Sequence, residues 1–380
     1  MSSTITIYLL SERTIGRYFQ ITALGSILNM LSLQLRDKVL RGLERGSLTL
    51  TPAEFDELAK NLTDFLKNYI SSKALGIRLY AAGRGDANIL RGIGITISKG
   101  LLTYGNLIDY YQSGLLIRNA ITTTHLPILL RAYVFSRYRD YAEEGDVNGA
   151  TLYLALTGAI ISVIAGGIRL GENTYELYLV PDTSIDSIKD SYLLYELLHD
   201  PKIKNRIQDY LMTFLRVEGL SFELSILLSI LLRIYDTFKI YGSLPSLRGG
   251  SFEKFKLIGV VTEQRPLIVW EKPLSITHIL MRLYGSRALR ILEYLYSIAS
   301  NLPRLTTSVS KLPDVLSQCT LSLIAYMETG SLDMLTYCSG NAVRILSTLD
   351  ELCVEGNTTS CNIKSVLASL LRDMAYSLVS

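Results

Sequence analysis

The sequence predicts an α+β protein: a mixed α/β N-terminal body with short strands and hairpins, followed by a mostly helical C-terminal bundle. Three observations carry that prediction. Strand-like runs bounded by Gly, Pro and Asn recur along residues 1–274, whereas Ser275 to Ser380 shows helical patterning alone. Apolar residues make up 48% of the 380 and charged residues 19%, which supplies a sizeable core and excludes extended disorder. No repeat of 20 to 50 residues appears, so a solenoid is not expected. The natural division is 1–274 and 275–380.

In chain order, "TITIYLL" at 4–10 has the β-branched content of a buried strand. A helix is expected from Gly16 to Leu43, its stripe made by Ile21, Leu24, Ile27, Leu28, Leu31 and Leu35. The next helix has a clean start, with Thr51 as cap, Pro52 as first helical residue and Glu54 completing a capping box. Residues 76–82 read as a strand, Gly83-Arg84-Gly85-Asp86 as a loop with no helix opening from it, and 92–98 as a second strand. Residues 101–140 are mostly helical. The segment 147–168 is uncharged over 22 positions and reads as a buried helix running into a strand. "IRL" and "YELYLV" then form a hairpin about Gly171-Glu172-Asn173, closed by Pro181. Helices are expected over 185–241 and a Gly/Ser/Pro loop over 241–256. Two further strands follow around Gln264-Arg265-Pro266, and the C-terminal helices break near Pro303, Gly330, Gly340 and Gly356.

Motifs for chemistry are few. The glycine loop lacks the Gly-Lys-Ser/Thr of a phosphate-binding loop and does not complete a dinucleotide fingerprint. His125, His199 and His278 lie far apart in sequence, with no metalloprotease spacing, and no Gly-x-Ser-x-Gly presents a nucleophile. No catalytic residue, metal, cofactor or small-molecule substrate is therefore assigned.

Charge is the positive signal. The net charge is +3, yet residues 1–140 hold 17 Lys and Arg against 10 Asp and Glu, while 141–275 hold 13 against 17. Between 78 and 139, Arg78, Arg84, Arg91, Lys99, Arg118, Arg131, Arg137 and Arg139 face only Asp86 and Asp109. Arginine forks bind phosphate bidentately, and the tyrosines of "RAYVFSRYRDY" at 131–141 offer stacking faces to unpaired bases. Arg248 beside Gly249-Gly250 adds a place where backbone amides can approach a phosphate. The expected nucleic-acid-binding set is Arg84, Arg91, Lys99, Arg118, Arg131, Arg137, Arg139 and Arg248; solvated surface arginines are the plain alternative.

Cys319, Cys338, Cys353 and Cys361 form no Cys-x-x-Cys pair, so zinc is not expected. Cys353 and Cys361 flank "VEGNTTS", a loop short enough for a disulfide, and four buried thiols are the alternative. Such a bridge suits a hyperthermophile, as does the richness in Leu, Ile, Tyr and Arg. The first residues read as a strand and not as an export signal, so a cytoplasmic protein is expected.

An N-terminal strand, a Gly/Arg-rich loop between strands, a helix leading into "IAGGIRLGENTYELYLVP", and a helical C-terminus together resemble archaeal type I-A CRISPR large subunits. The resemblance is one of layout and length over most of the chain. It implies a non-enzymatic subunit of an RNA-guided DNA surveillance complex, placed near the 5′ end of the guide RNA. Its partners would be guide RNA, target DNA, the other subunits and a helicase-nuclease. Such a subunit checks the short motif beside the target, helps open the duplex and assists helicase-nuclease recruitment, while guide pairing supplies most of the specificity. Two alternatives stay open: a membrane-associated protein using 147–168, and a nucleic-acid-processing enzyme with a dispersed site.

Overall fold

The computed structural model describes residues 4–70, 76–79, 85–97, 100–131, 146–182, 185–241, 255–261, 267–274, 288–304 and 309–377. The protein is α+β, with small antiparallel sheets set among helices. Its packing divides it into two units, Met1–Lys202 with Pro245–Ser275, and Ile203–Leu244 with Ile276–Ser380. The helices at 207–241 thus belong with the C-terminal helices, and a single cut at 274 does not describe the division.

In the first unit, β1 (Ile5–Tyr8) pairs antiparallel with β2 (Ser47–Leu50). Between them lie α1 (Ile15–Ile27) and α2 (Leu33–Arg45). The single helix expected over 16–43 is therefore two, separated by a 3-10 turn at Leu28–Met30. The apolar period runs on through the break, which hid it. The capping box of α3 (Pro52–Tyr69) forms as expected: Glu54 N donates to Thr51 Oγ1 at 3.3 Å, and Thr51 N to Glu54 Oε2 at 2.8 Å.

The core is built on α1 and α8 (Gly149–Ser162), both buried along their entire length. Helices with so few polar residues are buried on all sides, and several of their hydroxyls return to their own backbone. Thr22 donates to Tyr18 O at 2.9 Å and Thr157 to Tyr153 O at 2.8 Å. Glycine lets the two helices touch, since a Cβ on Gly158 would stand 1.6 Å from Phe19 O. The uncharged segment is thus a helix running into a strand, and among the described residues no helix is long and apolar enough to cross a membrane.

Strands β7 (Val163–Leu170) and β8 (Asn173–Pro181) form the expected hairpin, turning at Gly171 (φ 61°). With β9 (Phe255–Val261) and β10 (Leu267–Leu274) they make an antiparallel sheet of order β10-β9-β8-β7. The loop at 242–254 and the Gln264-Arg265-Pro266 turn lie outside the described residues. Helix α9 (Ile185–His199) completes the unit, its His199 Nε2 bonded to Ile161 O at 2.7 Å, a structural contact.

The second unit holds α10 (Ile207–Phe214), α11 (Phe222–Tyr241), α12 (Ala288–Asn301), α13 (Leu312–Thr329), α14 (Ser339–Val354) and α15 (Thr358–Ser377). Buried Arg233 donates to Ile203 O at 3.1 Å and Asn205 O at 2.7 Å, and Tyr235 OH donates to Glu293 at 3.1 Å. The break expected near Gly340 lies earlier, in a 3-10 stretch at Leu332–Cys338, and Gly340 is inside α14. Two disulfides staple this unit. Cys353–Cys361 closes the turn between α14 and α15, with Cα atoms 4.8 Å apart. Cys319–Cys338 ties α13 to the 3-10 stretch at 4.5 Å, a bridge the sequence did not suggest. The alternative of four free thiols is overturned.

Candidate nucleic-acid interface

Strand β3 (Ile77–Arg78) pairs antiparallel with β4 (Leu101–Leu102), and Leu79 N extends the ladder to Gly100 O at 2.8 Å. Gly76 is needed at the entry, because a Cβ there would meet Leu102 O at 2.8 Å. Helix α4 (Gly85–Gly92) opens on the second glycine of Gly83-Arg84-Gly85-Asp86, contrary to expectation, and residues 80–84 lie outside the described residues. Residues 92–98 are not a strand as far as they are described. The chain leaves α4 through a turn in which Ile93 N and Ile95 N both donate to Leu90 O. Ile93 and Ile95 are buried, and that two-residue spacing imitated a strand.

Helices α5 (Tyr104–Gln112), α6 (Leu115–Asn119) and α7 (Ile128–Arg131) follow, with β5 (Thr123–Thr124) pairing β6 (Val147–Asn148). Asn119 Nδ2 donates to Ile93 O at 2.8 Å and joins the ends of α6 and α4. The α6 end is in turn fixed to the buried core helix, where Ala150 N donates to Ala120 O and Gly149 N to Thr122 O, both at 3.0 Å. Arg91 and Arg118 sit in the last turns of the two joined helices, and both are exposed. Arg91 Nη1 bonds Asn88 Oδ1 at 3.1 Å. Arg78 is exposed on β3. Among the described residues, none of these three guanidiniums has a carboxylate within 4.0 Å.

Arg131 is placed differently. It is half-buried, its Nε is shielded with no hydrogen-bond partner among the described residues, and its charge acts on Asp86. That inward placement takes it out of the exposed set. Arg84, Lys99, Arg137, Arg139 and Arg248 lie outside the described residues.

Sequence reasoning missed two buried carboxylates beneath this segment. Glu176 of β8, 1% exposed, accepts from Arg78 N at 2.9 Å and from Tyr178 OH at 2.5 Å. Burial pushes its carboxyl up to about 7, against the pull of Tyr178 and Arg78. Asp86 of α4, also 1% exposed, accepts Ile128 N on both oxygens at 3.2 Å. Burial lifts it to about 6, opposed by Ile128 N–H and Arg131. An acid inside the apolar run "YELYLV" was a visible signal for Glu176. Among the described residues, no three His, Cys, Asp or Glu side chains gather to hold a metal.

No protein-family model matches this chain, and no curated protein does. What bears on its function is its own geometry.

Proposed function

We propose that the chain is a nucleic-acid-binding, non-enzymatic large subunit of an archaeal RNA-guided CRISPR surveillance complex. In that role it grips target DNA beside the guide-paired region and works with guide RNA, its neighbouring subunits and a helicase-nuclease. The observation that carries the proposal is the pair Arg91 and Arg118, exposed at joined helix ends, without carboxylate partners among the described residues, and anchored to a buried helix. Cations fixed on a rigid scaffold suit phosphate binding, which positions a nucleic acid without reading its sequence. The N-terminal strand, the helix leading into the β7–β8 hairpin and the helical C-terminus, which resemble the layout of the large subunits, support the finer assignment, as does the basic balance of residues 1–140.

The test is DNA binding across a salt titration. Arg91→Glu with Arg118→Glu should weaken duplex binding by the assembled complex and flatten the dependence of log K on log salt by about 2, one for each phosphate left without its arginine. An unchanged slope and affinity would remove the proposal.

A further inference from the structure

Glu176 and Asp86 each accept a backbone N–H from a distant element of the arginine-bearing region. Glu176 holds β3 through Arg78 N, and Asp86, on α4, holds the start of α7 through Ile128 N. The first bond spans 98 residues of sequence and the second 42. Each is a carboxylate sealed from water that accepts a backbone N–H of another element, Glu176 also accepting from the Tyr178 hydroxyl of its own strand. A structural role alone is served by an amide, which accepts the same N–H without the cost of burying charge.

We infer that Glu176 and Asp86 are positioning residues forming a proton-linked clamp, which holds β3 and α4 with the start of α7 firmly when protonated and loosens them when ionised. The groups facing Glu176 are Tyr178 OH, Arg78 N–H and the Arg78 charge; those facing Asp86 are Ile128 N–H and the Arg131 charge. None supplies a direct ion pair among the described residues. Burial therefore dominates at both sites, and ionisation weakens the local fold. As regulation of the arginine surface the clamp rests on the proposed function; as a mechanical device it does not.

Hydrogen exchange of the full chain, corrected for intrinsic rates, tests it between pH 5 and 8. Opening at the Arg78 and Ile128 amides should rise roughly tenfold or more with pH in the wild type. It should stay flat in the Glu176→Gln, Asp86→Asn double variant. Tyr178→Phe, which removes one hydrogen bond to the carboxylate and leaves the fold in place, should move the Arg78 transition to higher pH. Equal pH dependence in wild type and double variant, or an unmoved transition in Tyr178→Phe, overturns the clamp. Duplex binding by the same proteins is read separately: its absence removes the proposed function and leaves the exchange result standing.

Discussion

Gly158 shows how much one missing methyl can decide. Any side chain there would drive a Cβ into the Phe19 carbonyl, a backbone atom of a fully buried helix that has nowhere to retreat. Gly158→Ala should cost about 3 kcal/mol, read as a lower urea midpoint with the slope unchanged. An unaffected midpoint would mean that α1 and α8 do not pack as closely as described. Glu176 sets the other residue-scale expectation. Its folded value near 7 exceeds the ordinary 4.5, so the folded protein holds the proton more tightly than the unfolded chain does. Its contribution to stability is therefore complete below about pH 4.5 and lost as pH rises through about 7. Glu176→Gln should remove that loss, measured as a smaller drop in urea midpoint between pH 5 and pH 8. Neither residue could be understood from its neighbours in sequence, because Phe19 and Arg78 reach them from far along the chain.

At the scale of elements, local chemistry was legible and non-local chemistry was not. Thr51, Pro52 and Glu54 specify the start of α3 within four residues, and the structure forms that capping box. Thr51→Ala should cost about 1 kcal/mol, seen as a lower melting temperature, because it strips one of the reciprocal bonds. The uncharged run 147–168 was legible as a buried helix entering a strand, since no polar face was available to meet water. The division of α1 from α2 was not, because Ile27, Leu28, Leu31 and Leu35 keep the helical period across the 3-10 turn. The placement of α10 and α11 depends on packing with helices that follow residue 287, which no local pattern records. Cys319 and Cys338 are 19 residues apart and meet only through the 3-10 stretch that returns the chain. Cys319→Ser with Cys338→Ser should destabilise the second unit by about 3 kcal/mol through the freedom regained by the unfolded loop. Equal denaturation curves under oxidising conditions would deny that bridge a role.

For the whole molecule, the candidate interface was legible only in part. Charge counting found the basic region, and the structure joins the ends carrying Arg91 and Arg118 while turning Arg131 inward. Linear charge cannot separate a guanidinium that faces water from one that balances a buried acid. The same arrangement has a consequence for synthesis. Helix α1 lies near the start of the chain, while α8, against which it buries itself, ends at Ser162. Until the ribosome has extruded both, the first helix has no permanent place to hide its greasy sides. Nascent chains halted before residue 149 should therefore be held by chaperones or aggregate, and those released beyond residue 181 should escape that fate.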